Sequence, residues 1–353
     1  IGKWHLGFGS PDSPGWDDVH GPDYNRPLKP GPLEVGFDYF YGIPHVGQKP
    51  HVFIENHHVV GMEKDDSMRI VLDKRWLNRA SYLERIGVPA HRFKGNEHAR
   101  YEHENLAIRL TEKTVDWIET KRKEPFFLYF AHRNVHGPIT PNPKFKGTSV
   151  IGKYGDFVHE LDWSVGEILA ALDREGLAEN TIVFISSDNG GVKDYRDSKK
   201  IEINGHHING PFFGQKTEAY EGGVHVPLIV RWPGTVKAGS ESDKIVALTD
   251  MLATMAEFTG YNLEWNTGED SFSFLHELEG RNPVQPIRKN VVVDATSGLF
   301  AIRKGEWKFI SGQGGGGIAW DDSQYIKLLP HQWNFPVDSL HPPGQLYNLK
   351  QDP

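Results

Sequence analysis

The residues of this sequence whose types suit chemistry are lysines, histidines and an Asp-Asn pair, each within two residues of a glycine or at the end of an apolar run. They are Lys3, His5, His136, Asp188, Asn189 and Lys216. Lys3 and His5 are two apart in Gly2-Lys3-Trp4-His5-Leu6-Gly7, so an extended backbone would point both side chains the same way. The flanking glycines let the backbone approach an anion closely. These groups would hold a small oxyanion.

A pair of hard oxygen ligands follows the apolar run at residues 181–187. Asp188 and Asn189 suit Ca²⁺ or Mg²⁺ better than zinc, which prefers Cys and His. Two ligands do not complete a site, so further carboxylates must come from elsewhere. The structural alternative is an Asx turn that ends the strand, and spacing alone favours that alternative.

Three other positions have both a chemical and a structural interpretation. His136 follows an apolar run and suits a general acid, because imidazole titrates near neutral pH; a lone histidine is more often structural. Lys216, in Gly214-Gln215-Lys216-Thr217, offers a second cation for an anion, although a lysine taken alone is more often simply solvated. His206 and His207 would point to opposite faces of a strand, which favours a substrate-contacting loop over a metal pair.

Alternating helices and strands must position these residues. The expected elements are helix 102–121, strand 126–131, helix 156–175, strand 181–187, strand 226–232 and helix 248–259. On the first helix the apolar face should comprise Leu106, Leu110, Val115 and Ile118. The alternation predicts an α/β fold with a mainly parallel sheet sandwiched by helices. In such sheets the chemistry gathers at the carboxyl ends of the strands, which is where His136 and Asp188 lie.

The last part of the sequence has a different pattern. Four short β-prone pieces lie at 290–295, 299–303, 307–310 and 345–349. They predict a small antiparallel sheet. We therefore expect a catalytic α/β domain at residues 1–282 and a small C-terminal domain at 283–353, entered through Pro283 and Pro286.

The totals exclude several classes of protein. At 353 residues the chain is long enough for a large domain and a smaller one. Its net charge of −8 argues against a nucleic-acid binder. No run approaches the ~18 apolar residues of a membrane helix, and the absence of Cys excludes disulfides within the chain. Because the first residue, Ile1, lies within what looks like a site, we expect a fragment of a longer protein.

In chain order, the motifs of the whole sequence resemble those of a sulfatase of the arylsulfatase A type, within the alkaline-phosphatase-like superfamily. The matching segments are Gly2-Lys3-Trp4-His5-Leu6-Gly7, Asn134-Val135-His136-Gly137-Pro138, Ser187-Asp188-Asn189-Gly190-Gly191, Gly214-Gln215-Lys216-Thr217, Tyr220-Glu221-Gly222-Gly223-Val224-His225-Val226-Pro227 and Gln345-Leu346-Tyr347-Asn348-Leu349. The first of these is the most specific.

The resemblance implies roles for these residues. Lys3 and His5 would flank a formylglycine made from Cys or Ser. His136 would bind sulfate and protonate the leaving oxygen, and Lys216 would hold sulfate. Asp188 and Asn189 would ligate Ca²⁺, with Mg²⁺ as the alternative. The family's nucleophile segment and N-terminal Asp pair would lie upstream of this sequence, so we expect the fragment alone to be inactive.

These expectations describe a sulfate ester hydrolase that acts on a sulfated glycan or an aryl sulfate. Two alternatives stay open. One is a phosphomonoester or phosphonate hydrolase of the same superfamily, and the other is a catalytically dead protein that binds sulfated glycans. The resemblance further implies a formylglycine-generating or anaerobic sulfatase-maturating enzyme as a partner, and a periplasmic or extracellular location.

Overall fold

The computed structural model describes residues 1–17, 21–45, 50–72, 91–121, 123–192, 205–281, 286–317 and 342–352. Internal contacts divide the chain into two compact units, Ile1–Leu177 and Ala178–Pro353. The expected boundary between 282 and 283 lies outside the described residues. The two domains at 1–282 and 283–353 therefore stay a prediction.

The sheet of the first unit is built around a short parallel core. Strand β1 (Gly2–Lys3) pairs in parallel with β2 (Tyr41–Ile43) on one side and, through a bridge at Gly2, with Ala131 on the other. Glycine is required at position 2, because its φ is 115° and a Cβ would overlap the Ala131 carbonyl oxygen. The other strands of this unit are antiparallel: β3 (Ile54–Glu55), β4 (His58–Val59), β5 (Arg69–Leu72) and β6 (His91–Lys94).

The segment at 126–131 is not a regular strand: Ala131 forms a parallel bridge with Gly2 of β1, and the Ile1 amino group donates to the Tyr129 carbonyl at 2.8 Å. Its side chains alternate, with Phe127 and Tyr129 exposed and the residues between them half buried. The continuous apolar run at 126–131 predicts a strand buried on both faces of a sheet, and that prediction is wrong for the described residues. Alternation with period two means that only one face of this segment is covered.

Two helices of the first unit pack against each other. They are α1 (Leu106–Lys121) and α2 (Lys153–Arg174), joined by a buried 2.6 Å hydrogen bond between the hydroxyls of Thr111 and Ser164. Leu106, Leu110 and Ile118 are fully buried, as expected. Thr114 lies on this face instead of Val115, because at 3.6 residues per turn position 114 follows 110.

The second unit contains the other two predicted strands and the third predicted helix. Strand β7 (Val183–Ser186) pairs antiparallel with β8 (Leu228–Arg231). The described sheets are thus mixed rather than purely parallel. Among the described residues of this unit, the α-helices are α3 (Glu221–Val224), α4 (Asp250–Thr259) and α5 (Leu275–Leu278).

The second unit also holds a four-stranded antiparallel sheet in the order β12-β11-β10-β9. Its strands are β9 (Val291–Asp294), β10 (Phe300–Lys304), β11 (Trp307–Ile310) and β12 (Gln345–Asn348). All four β-prone pieces predicted for the C-terminal sheet are confirmed, as is the α/β class. None of the helices in the described ranges is long and apolar enough to cross a membrane.

Candidate active site

Lys3 and His5 lie where β1 ends. The backbone N–H of Lys3 donates to the Ala131 carbonyl at 2.9 Å, and that of His5 donates to Pro44 at 2.9 Å. His5 has φ of 63°, in the left-handed region. The extended geometry that would align the two side chains therefore stops before His5, and the simple expectation that they point the same way does not apply.

His45 is a neighbour of His5 that sequence reasoning missed. The two imidazole rings lie 4.0 Å apart, edge to face. His45 comes two residues after the end of β2, as His5 comes two residues after the end of β1. Because β1 and β2 are parallel, both histidines lie at the same edge of the sheet. The signal in the sequence was a histidine directly after the apolar piece Tyr41-Gly42-Ile43-Pro44.

His136 lies in the loop that follows Ala131. Its Nδ1 is 2.8 Å from the carbonyl oxygen of Gly137. A carbonyl can only accept, so Nδ1 is the protonated donor, and this bond orients the ring. The same loop follows the third of the parallel segments, Ala131, so Lys3, His5 and His136 are all positioned at the carboxyl ends of neighbouring parallel segments.

A buried polar layer supports this loop. The backbone N–H of Asn134 donates to Nδ1 of His132 at 3.0 Å, and its amide donates to the Glu160 carboxylate at 2.9 Å. Burial, followed by the charge of Arg133, lowers the pKa of His132 to about 4. Burial also raises the pKa of Glu160, and the hydrogen bond from the Asn134 amide offsets this rise only in part. The layer therefore holds a neutral imidazole near neutral pH.

In the second unit the structure joins the loop of Asp188 and Asn189 to the loop of Lys216. The backbone N–H of Lys216 donates to the Gly191 carbonyl at 3.0 Å. The Asn209 side chain hydrogen-bonds to both loops. Its oxygen accepts from the Gly191 N–H at 2.7 Å, and its amide donates to the Gly214 carbonyl at 3.0 Å. Sequence reasoning missed Asn209, which is visible only as a polar residue between glycine-rich motifs.

Asp188 and Asn189 offer the oxygen atoms that the sequence analysis expects of calcium ligands. Asp188 is exposed and Asn189 is half buried. The amide nitrogen of Asn189 donates to the Gly190 carbonyl at 2.9 Å, so its oxygen is the atom that suits a cation. No group of three or more His, Cys, Asp or Glu side chains with metal-binding geometry occurs in the part of the chain that the structure describes. These two residues fit Ca²⁺ as part of a ligand set.

Glu221 is a buried carboxylate behind the Lys216 loop. It accepts from Lys308 at 2.7 Å and from Arg303 at 3.0 Å, both in the C-terminal sheet, and lies 3.2 Å from Nδ1 of His225. Burial raises its pKa, but the hydrogen bond from His225 and the charges of Lys308 and Arg303 outweigh burial and bring the pKa down to about 2. The carboxylate therefore stays charged.

His206 and His207 follow residues outside the described ranges. His207 is exposed, His206 is half buried, and the His207 carbonyl accepts from the Gly210 N–H at 3.0 Å in a turn. A surface turn is compatible with the expected substrate-contacting loop, and no contact of these side chains tests that role.

Comparison with known proteins agrees with this geometry. The Sulfatase family model matches residues 1–261. The chain is 32% identical to an N-acetylgalactosamine-6-O-sulfatase of Bacteroides thetaiotaomicron, over 100% of this chain and 69% of that protein. It is 30% identical to the N-acetylgalactosamine-6-sulfatase of Mus musculus, over 87% of this chain and 52% of the relative. The chain thus spans about half the length of the mammalian relative.

Solved structures show the same fold. A Bacteroides thetaiotaomicron structure from work on the metabolism of multiple glycosaminoglycans is 32% identical, with a TM-score of 0.81 over 99% of this chain and 73% of that one. A sulfatase from Pseudoalteromonas sp. has 23% identity and a TM-score of 0.64 over 99% of this chain and 64% of its own; it supports the fold alone. The family model and the bacterial relative together show that this chain belongs to the sulfatase family.

Proposed function

We propose that this protein hydrolyses the sulfate ester of 6-O-sulfated N-acetylgalactosamine in a glycan. The reaction class follows from membership of the sulfatase family. The substrate is inferred from relatives that are named for N-acetylgalactosamine 6-sulfate and are 30–32% identical over 87–100% of the chain. The sulfated glycan is thus the expected partner.

The observation that carries the proposal lies in the first unit. Lys3 and His5 lie at the carboxyl end of β1, and His136 follows the neighbouring parallel segment at Ala131. Lys3 and His5 can bind the negatively charged oxygens of a sulfate ester. The His136 ring, oriented by its Nδ1 hydrogen bond to Gly137, can donate a proton from Nε2 when it is protonated. The proposed role of Lys3 and His5 is to bind the sulfuryl oxygens.

His136 is proposed as the general acid. The Gly137 carbonyl accepts the hydrogen bond that Nδ1–H donates. The imidazolium form would therefore present its second proton, on Nε2, to the departing sugar oxygen. A sugar alcohol is a poor leaving group as an alkoxide, so its protonation is needed. Lys216, whose backbone N–H donates to the Gly191 carbonyl after Asp188 and Asn189, is proposed to neutralise negative charge on the sulfate.

A metal ion and a modified residue complete the proposal. Asp188 and Asn189 would contribute oxygen ligands to Ca²⁺, which stabilises negative charge on sulfuryl oxygens. A formylglycine, made from Cys or Ser by a formylglycine-generating or anaerobic sulfatase-maturating enzyme, would supply an aldehyde hydrate as the nucleophile beside Lys3 and His5. We propose a periplasmic or extracellular location, where sulfated glycans are met.

The test is sulfate release by the full-length protein produced together with a maturating enzyme. Substrates are N-acetylgalactosamine 6-sulfate, its 4-sulfate isomer, 4-nitrophenyl sulfate and 4-nitrophenyl phosphate. We expect sulfate release to be fastest from the 6-sulfate among the sugar substrates. His136→Ala should reduce its kcat by ~100-fold or more, as for the loss of a general acid.

The outcomes separate the candidate functions. Phosphate release without sulfate release would instead support the phosphomonoesterase alternative. Binding of the 6-sulfated glycan without turnover, in protein shown by mass spectrometry to carry formylglycine, would support the binding protein. Preference for the 4-sulfate would leave the reaction class intact and overturn the proposed substrate.

A further inference from the structure

Arg133 is a fully buried cation beside the proposed general acid. Its side chain is only 1% exposed, and a guanidinium keeps its charge at any physiological pH. A buried charge is costly unless polar groups surround it. The groups that stabilise this guanidinium therefore identify the part of the fold whose geometry depends on it.

Among the residues that the structure describes, four oxygen atoms accept from the two terminal nitrogens of Arg133. Nη1 donates to the carbonyls of His136 at 3.4 Å and Pro138 at 3.2 Å. Nη2 donates to the Thr140 hydroxyl at 2.7 Å and to the His103 carbonyl at 3.5 Å. The guanidinium also stacks 4.5 Å from the centre of the Phe157 ring. Three of the four acceptors belong to the loop that carries His136.

Gly137 lies between the two carbonyls that share Nη1. Its own carbonyl is the acceptor for Nδ1 of His136, at 2.8 Å. When the carbonyls on both sides are fixed, the peptide plane of Gly137 is fixed too, and with it the tautomer and direction of the imidazole. The chain of contacts runs from Arg133 through the backbone to the ring.

The geometry points to Arg133 as a positioning residue for His136: it holds the loop so that the imidazole presents Nε2 to the leaving oxygen. This inference rests on the proposed function, in which His136 delivers a proton. Arg133 touches no reacting atom in this scheme, and its effect passes entirely through the His136 ring.

A positioning role has a specific kinetic signature. A sugar alcohol needs protonation as it departs, whereas 4-nitrophenol is acidic enough to leave without it. Misorientation of His136 should therefore slow hydrolysis of N-acetylgalactosamine 6-sulfate far more than hydrolysis of 4-nitrophenyl sulfate. A general loss of folded or mature enzyme would slow both equally.

The experiment compares Arg133→Met with the wild-type full-length enzyme on both substrates. Met keeps much of the length and removes the charge and donors. We expect kcat for the sugar sulfate to fall by ~10-fold or more, which approaches the loss expected for His136→Ala. We expect kcat for 4-nitrophenyl sulfate to fall by less than ~3-fold. Equal losses on the two substrates would overturn the proposal.

Arg100→Met is the matched control. Arg100 lies in the same unit, and its Nη2 donates to the carbonyls of Phe93 and Gly95 at 2.8 and 3.1 Å. The substitution removes the same chemical group from carbonyls that are remote in sequence from His136. The ratio of the two rates should stay at its wild-type value.

A second measurement separates this inference from the proposed function. In ¹⁵N NMR of the imidazoles, His136 should be the Nδ1–H tautomer in the wild type and a mixture of tautomers in Arg133→Met. This readout needs no turnover, so an inactive wild type would contradict the proposed function alone. If Arg133→Met does not fold, Thr140→Val, which removes one acceptor, should show the same substrate inequality; an unchanged tautomer and ratio in Thr140→Val would then overturn the inference.

Discussion

At the scale of single residues, two side chains position their loops by bonding to backbone. Arg133 binds the carbonyls on both sides of Gly137, and Asn209 binds the N–H and carbonyl of Gly191 and the carbonyl of Gly214. Neither Arg133 nor Asn209 is proposed as a general acid or a metal ligand. Each makes a loop rigid enough to present another residue, His136 in one unit and Lys216 in the other.

Lys216 is the residue whose removal tests the anion site directly. In the full-length enzyme, Lys216→Ala should lower kcat/KM for sulfate ester hydrolysis by ~100-fold, because a donor to developing negative charge is lost. Steady-state kinetics on N-acetylgalactosamine 6-sulfate measures this. Lys144→Ala is the control, since Lys144 lies over the Trp163 ring in the first unit and has no proposed role. Unchanged turnover in Lys216→Ala would remove Lys216 from the proposed site.

At the scale of elements, the C-terminal sheet supports the loop that carries Lys216. Lys308 on β11 and Arg303 on β10 donate to Glu221 at the start of α3. The Thr296 N–H donates to the Thr217 carbonyl at 3.0 Å, next to Lys216. A small antiparallel sheet that looks separate in the sequence thus contributes to the geometry of a proposed site residue.

Glu221→Gln should destabilise this arrangement. It leaves Lys308, only 2% exposed, without its carboxylate, at a cost of ~3–5 kcal/mol for breaking a buried pair. Chemical denaturation at neutral pH measures the change in the free energy of unfolding. Glu241→Gln, on an exposed residue of the same unit, should change it by less than ~0.5 kcal/mol.

The same carboxylate predicts a pH dependence. Because the folded pKa of Glu221 is about 2 and its ordinary value is 4.5, its contribution to stability is complete above pH 4.5 and is lost as the pH falls from 4.5 to 2. Wild type should therefore lose more stability across that window than Glu221→Gln does. Parallel loss in both proteins would mean that other carboxylates account for acid unfolding.

At the scale of the whole molecule, the predicted residues belong to two units. Lys3, His5 and His136 are in Ile1–Leu177, and Asp188, Asn189 and Lys216 are in Ala178–Pro353. Each unit brings its own set together through backbone hydrogen bonds. A cofactor bound by the folded protein should stabilise it in proportion to the logarithm of the cofactor concentration over its dissociation constant.

Calcium removal tests the metal proposal. We expect EDTA to lower the Tm of the full-length protein by several degrees and excess Ca²⁺ to restore it, since binding to the folded state alone stabilises by ~2.7 kcal/mol at a concentration 100 times Kd. Asp188→Asn should reduce this response, whereas Asp116→Asn, on the exposed face of α1, should not. A calcium response that survives Asp188→Asn would place the ion elsewhere.

The local elements and the family were determined by the sequence. Apolar periodicity predicted α1, α2 and α4, because the side chains of a helix or strand repeat at a fixed spacing whatever surrounds them. The four C-terminal strands were predicted for the same reason. The motifs around Lys3, His136 and Asp188 indicated the family, because each places a charged or titratable residue close to glycine.

Only the tertiary structure decided how these residues are held. Groups distant in sequence set the left-handed backbone of His5 and bury Arg133 between loop carbonyls. They also place Asn209 where it hydrogen-bonds to two loops. The antiparallel pairing of β7 with β8 and the one-sided burial of 126–131 depend on which segments lie alongside. Such contacts are set by packing and by the need to satisfy buried polar groups, and no local spacing encodes them.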